Sequence, residues 1–185
     1  MTPKQQTISR LVLPVVLLFA LFATAYAQRD AQPPVQAARP ATPTCPGQTA
    51  PAPIATGVYT AKPVPEIIIN GQPAPGAIWK AGDRAYWHCH TGGQLLFLHE
   101  GVGRVQQRGQ RARDLRKGET EYAGPGVEHW HGASPDSTAH FFQTAIGNST
   151  TLWMEEVGRD DYLGNDIGIN SRNEFIRTGV RKKTQ

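Results

Sequence analysis

Between Ala77 and Ile146, glycine or proline interrupts every apolar run before it reaches the length of a stable helix. That punctuation constrains the fold more than any other feature of the chain. Glycine supplies the left-handed backbone that tight turns need, and proline cannot donate to a central ladder, so short strands joined by turns are required. The spacing predicts strands over 84–90, 94–99, 104–107, 111–115, 121–123, 129–131 and 140–146. Gly101 and Gly103 mark a strand end or a bulge, and Gly124-Pro125-Gly126 marks a turn. Residues 64–70, VPEIIIN, predict an earlier strand ended by Asn70-Gly71. Residues 152–162 start as a strand and finish as a polar turn. Closing such a set into a β-barrel would remove its open edges.

The ends read differently. Lys4 and Arg10, an apolar run over 11–23 and Ala25-Tyr26-Ala27 together predict a signal peptide over 1–27, cleaved after Ala27. The run is shorter than the roughly 20 residues of a comfortable bilayer span, so no stable membrane insertion is expected after cleavage. A periplasmic or secreted location follows as an expectation. Residues 28–62 are dense in proline and alanine and predict a disordered arm. Residues 63–157 are expected to form the single β-barrel domain, and 158–185 a polar C-terminal extension.

The net charge of +4 falls to +2 once Lys4 and Arg10 are removed. No basic stripe accompanies a recognition element, so nucleic acid is not an expected partner. Cys45 and Cys89 are the two cysteines of the chain. In an oxidising compartment they could form one disulfide or remain two separate thiols.

The chemistry concentrates in histidines. His88 and His90 are two apart, which on a strand puts both imidazoles on one face. Gln94 follows after a Thr-Gly-Gly turn and can offer a neutral amide oxygen. His129 follows the Gly-Pro-Gly turn. Taken singly, each histidine reads as readily as a hydrogen-bonded core or surface residue. Together, His88, His90, Gln94 and His129 suit one divalent ion. Such a set is electrically neutral, leaves the charge of the ion uncompensated and favours polarisation over redox cycling. Trp87 and Cys89 alternate with the ligand pair and are expected to pack away from it, as is Trp130. Tyr86 is expected either to line the pocket or to pack in the core.

The segments Gly82-x5-His88-x-His90-x3-Gln94-x6-Gly101 and Gly118-x5-Gly124-x-Gly126-x2-His129 resemble the two motifs of the cupin superfamily. Three identities depart from it: Gln94 stands where a glutamate ligand is usual, Gly124 where proline is usual, and Ala133 where asparagine is common. The stretches WHCHTGGQLLFLHEGVGRVQQRG, GPGVEHWHGASPDSTAH and LWMEEVGRDDY are similar to small single-domain cupins that include bacterial manganese-dependent hydroxynitrile lyases. The resemblance implies an all-β fold, the double-stranded β-helix or jelly-roll barrel. It also implies a metal set of His88, His90, Gln94 and His129, and one ion per chain. Manganese is favoured, with iron, zinc, nickel or cobalt as alternatives. An active-site histidine of that family resembles His140, with the preceding loop one residue shorter here.

A lyase acting on a small hydroxylated organic substrate is therefore expected, with His131 and His140 as acid–base residues. A metal-dependent oxygenase and a non-catalytic small-ligand binding or sensing protein are the alternatives. Small cupins commonly pair, so a homodimer or higher homo-oligomer is expected, with Leu95 and Phe97 facing outward.

Overall fold

The computed structural model describes residues 45–49 and 54–178. The expected signal peptide and its cleavage point, and most of the expected arm, lie outside the described residues.

One long strand organises the sheet. It runs Gln94–Gln107 (β9), where the glycine spacing predicted two separate strands. Its first half lies between Thr120–Ala123 (β11) and Ala139–Ala145 (β13). Its second half lies between Arg113–Arg116 (β10) and His129–Ala133 (β12). Strand β9 thus belongs to two layers and bends from one into the other. The layer beyond β13 continues through Gly76–Trp79 (β6) to Tyr59–Ala61 (β3). The layer beyond β12 continues through His88–His90 (β8) and Thr151–Trp153 (β14) to Gln48–Thr49 (β1). Two further short strands, Ala55–Thr56 (β2) and Arg84–Ala85 (β7), join this layer through β12. All pairings are antiparallel.

The bend comes from a bulge. His140 pairs with Glu100, but Phe141 pairs with Leu98, so His99 is an extra residue on β9. Inward-facing positions change parity across it. Leu96 and Leu98 pack in the main core before the bulge, and Val105 packs there after it. Gly103 also faces inward, because a Cβ at this position would lie 2.4 Å from the Phe141 ring.

The expected closure does not occur. The strand path starts at β1 and ends at β3 without a ladder between them, so the sheet is an open half-barrel with a double-stranded β-helix-like arrangement. The two layers share β9 on one side and meet elsewhere through side chains. Trp79, Leu96, Leu98, Val105, Leu115 and Phe141 form the core between them.

Strands β1, β2 and β3 fall inside the span expected to be a disordered arm, because the backbone at 48–61 finds open sheet edges to pair with. Leu95 and Phe97 lie on the outer side of the sheet, opposite the core face of Leu96 and Leu98. They pack with Val64, Ala74 and Phe142 beneath a separate hairpin of Val64–Ile69 (β4) and Gln72–Ala74 (β5).

The C-terminal extension contains two helices, Arg159–Leu163 (α1) and Ile169–Thr178 (α2). Phe175 of α2 joins Trp87, Trp130, Met154, Val157 and Tyr162 in a second core. Arg172 of α2 reaches Glu128, which also pairs with Arg108. No helix among the described residues is long and apolar enough to cross a membrane.

Candidate metal centre

The histidines are positioned by the sheet. His88 on β8 stands directly opposite His129 on β12. Their rings lie 4.3 Å apart, centroid to centroid. His90 follows two residues along β8 and His131 two along β12, so all four imidazoles share the inner face of one layer. Gln94 opens β9 and approaches from the other layer. Its Oε1 lies 2.7 Å from His129 Nε2. All five side chains are buried.

Hydrogen bonding fixes the ring orientation of two of them. His88 Nδ1 lies 2.8 Å from the Tyr86 carbonyl, and His129 Nδ1 lies 3.0 Å from the Val127 carbonyl. A carbonyl only accepts, so both Nδ1 atoms carry the proton and both Nε2 atoms present a lone pair. This is the arrangement that metal-ligating histidines adopt, with the second ring nitrogen bonded to a backbone oxygen.

The His129–Gln94 contact then poses a charge problem. Two lone pairs 2.7 Å apart repel unless a proton or a cation lies between them. A second proton would make His129 an imidazolium, and burial opposes this, pushing its pKa down to about 4. Two ways remain: the amide turns its NH2 toward the ring, or a cation takes both lone pairs.

Electrostatics keep the neighbouring rings neutral as well. Burial, followed by the closeness of His129, His131 and His90, holds His88 well below the ordinary imidazole range. Burial and then His129 and His90 do the same to His131. Burial lowers His90. Neutral imidazoles are the form that ligates metals. His90 Nε2 and His131 Nδ1 are buried without a hydrogen-bond partner, while His90 Nδ1 contacts Thr151 Oγ1 at 3.1 Å. These residues can hold a divalent ion.

A cavity of about 140 Å³ opens beside the histidines. His88, His90, Gln94, His131 and Gln143 supply its polar wall, and Tyr59, Trp79 and Trp153 its aromatic wall. Four of these residues carry a buried polar atom with no partner: Trp79 Nε1, His90 Nε2, His131 Nδ1 and Gln143 Oε1.

The structure therefore brings His88, His90, Gln94, His129 and His131 together. One ligand atom each from His88, His129 and His131 lies within 4.8 Å of the others, so His131 sits closer to the expected ligands than an acid–base role alone requires. His140 is elsewhere. It neighbours Phe141, which points into the core, so its own ring turns to the outer face. There its Nε2 donates to the Lys62 carbonyl at 3.0 Å. It does not line the cavity.

Tyr86 is buried, and its carbonyl accepts from His88 Nδ1. Trp87 and Trp130 pack away from it, edge to face. Cys89, between the two ligand positions of β8, forms a disulfide with Cys45 on the side of the strand opposite the imidazoles. Sequence reasoning missed Gln143, Trp79 and Tyr59. The first two face inward on β13 and β6, and each lies outside any motif. Glu128, just before β12, is an ion-pair anchor for Arg108 and Arg172.

The family model for the Cupin domain matches residues 77–145, the stretch that supplies every histidine of the cavity. Over 86 residues the chain is 33% identical to an (R)-mandelonitrile lyase of Granulicella tundricola. That match spans 45% of this chain and 66% of the relative, just under two thirds of its length. A cupin-like protein from Thermotoga maritima, known from its crystal structure, is 29% identical. It aligns with a TM-score of 0.50 over 63% of this chain and 90% of its own.

Proposed function

We propose that this cupin-superfamily domain is a divalent-metal-dependent lyase for a small hydroxylated organic substrate of the cyanohydrin type. The observation that carries the reading is the set of four unpartnered buried polar atoms around one small cavity. A buried polar atom without a partner costs about 1–3 kcal/mol. Four around one void are tolerable in a stable fold if a ligand completes them. The volume agrees with the chemistry, since a cavity of roughly 150 Å³ holds a benzene-sized molecule. The mandelonitrile lyase relative supports an aromatic cyanohydrin as the first substrate to try.

We assign His88, His90, Gln94 and His129 to the ion, with manganese preferred. An ion bound there would polarise a substrate oxygen and make its hydroxyl more acidic. The remaining steps fall to side chains. His131, kept neutral by burial, would take the hydroxyl proton at Nδ1. The carbon–carbon bond to the nitrile would then break, giving an aldehyde and cyanide. The proton on His131 would return to cyanide and leave the site neutral. The Trp79 N–H would donate to a developing negative charge, and Tyr59 and Trp153 would confine the ring. A chain of this kind would act outside the cytoplasm, in keeping with the apolar N-terminal run and the Cys45–Cys89 disulfide.

The test is direct. Full-length protein, stripped of metal and reloaded with manganese, should release cyanide from benzaldehyde cyanohydrin faster than the stripped protein does. Equal rates at full metal occupancy would refute the lyase reading and leave the metal site standing.

A further inference from the structure

We infer that His99, Glu100 and His140 form a second divalent-metal site, of zinc-like preference, on the outer face of the sheet. One ligand atom from each lies within 4.8 Å of the other two. Consecutive strand residues normally point to opposite faces, so His99 and Glu100 should not converge. The β9 bulge removes that obstacle. Glu100 pairs with His140 and Leu98 pairs with Phe141, leaving His99 as the inserted residue. Two successive side chains thereby fall on the same side, opposite His140. Bulges of this kind re-aim side chains, and here both re-aimed groups are metal ligands by chemistry.

His140 supplies an independent observation. It is 5% exposed, and its Nε2 proton is committed to the Lys62 carbonyl at 3.0 Å. Its Nδ1 is therefore a lone pair, and no hydrogen bond to it occurs among the described residues. The ring lies 5.1 Å from that of His99 and perpendicular to it. A backbone carbonyl holding the far nitrogen while the near one points at other ligand groups is the orientation of a coordinating histidine.

A fourth group is close. Glu66 Oε2 on β4 lies 3.5 Å from His99 Nε2. That is long for a hydrogen bond but close to the edge of a tetrahedral zinc site, about 3.3 Å for ligands 2.0 Å from the ion. Two imidazoles with one or two carboxylates suit zinc, nickel or copper better than magnesium or calcium. The donor set also differs from that of the cavity. Carboxylate here balances the charge that the neutral cavity ligands leave, which suits a structural ion tying the β4–β5 hairpin to the sheet rather than a Lewis acid.

The experiment is zinc stoichiometry on the full chain, stripped by chelator, titrated with zinc chloride and desalted before metal analysis. Wild type should retain two ions per chain. His99→Gln with Glu100→Gln, both outside the main core, should retain one and bind the other at least about 10-fold more weakly. His129→Ala should also retain one, and the combined variant none. Wild type with one ion that the double variant keeps would overturn the second site. So would a double variant that still holds two. One ion in wild type that the double variant loses would uphold the outer site and remove the cavity site instead, so the two readings fail separately.

Discussion

At the scale of single residues, Gln94 carries the most information. Its amide oxygen is set 2.7 Å from a lone pair of His129, a conflict that either a turned amide or an ion taking both lone pairs would resolve. Gln94→Ala should leave the sheet folded and weaken manganese retention by about 10–100-fold or more, read by metal analysis after dialysis. Unchanged retention would take Gln94 out of the ligand set. Gln94→Glu should retain the ion at least as well, because a carboxylate binds divalent ions more strongly. Cyanohydrin turnover should fall even so, since the added charge offsets part of the ion's own.

His131 tests the other half of the proposal. Its Nδ1 has no partner, yet its ring also belongs to the tight cluster with His88 and His129. As a base, His131→Ala should lower kcat by about 10²–10⁴-fold with metal content unchanged. If metal content falls with kcat, and His90→Ala leaves it intact, His131 is the ligand and His90 is not.

At the scale of elements, β9 and α2 matter most. The bulge in β9 turns one strand into a member of two layers. It lets Gln94 face the histidines while Val105, after the change of parity, still faces the core. The glycine pair at 101 and 103 pointed to an end or a bulge, and the bulge lies just before them. Helix α2 was hidden in sequence because its composition is polar. Its anchorage rests on Phe175 alone among its buried residues, with Arg172 reaching Glu128. Phe175→Ala should therefore cost about 3 kcal/mol in urea unfolding. A loose surface extension would show a change within about 0.5 kcal/mol.

At the scale of the whole molecule, burying four imidazoles ties stability to pH. An unfolded histidine takes its proton near pH 6.5. Folded His129 takes it only near 4. Between those values the unfolded chain binds the proton and the folded chain does not. Stability is thus complete above pH 6.5 and declines as the pH falls toward 4. His129 alone accounts for about 3 kcal/mol, and the lowered His88, His90 and His131 act in the same direction. Metal-free protein should show its urea midpoint dropping steadily from pH 7 to 4.5. A flat midpoint would mean that the rings are not buried as neutral groups.

The all-β class, the turns and the convergence of His88, His90, Gln94 and His129 were legible in the sequence, because each depends on local periods. Residues two apart share a strand face, and a Gly-rich turn reverses the chain wherever it occurs. Those rules need no knowledge of distant neighbours. What the tertiary structure decided depends on register between strands far apart in the chain. Alternation along β13, with Phe141 packed in the core, keeps His140 off the cavity, and one inserted residue at His99 brings Glu100 opposite it. Trp79 and Gln143 reach the cavity because β6 and β13 pair in one particular alignment. The Cys45–Cys89 bond exists because β1 joins the sheet next to β14, and the sheet stays open because no ladder links β1 to β3. A one-residue slip in any such pairing sends every side chain to the opposite face, and only the assembled sheet selects between the two.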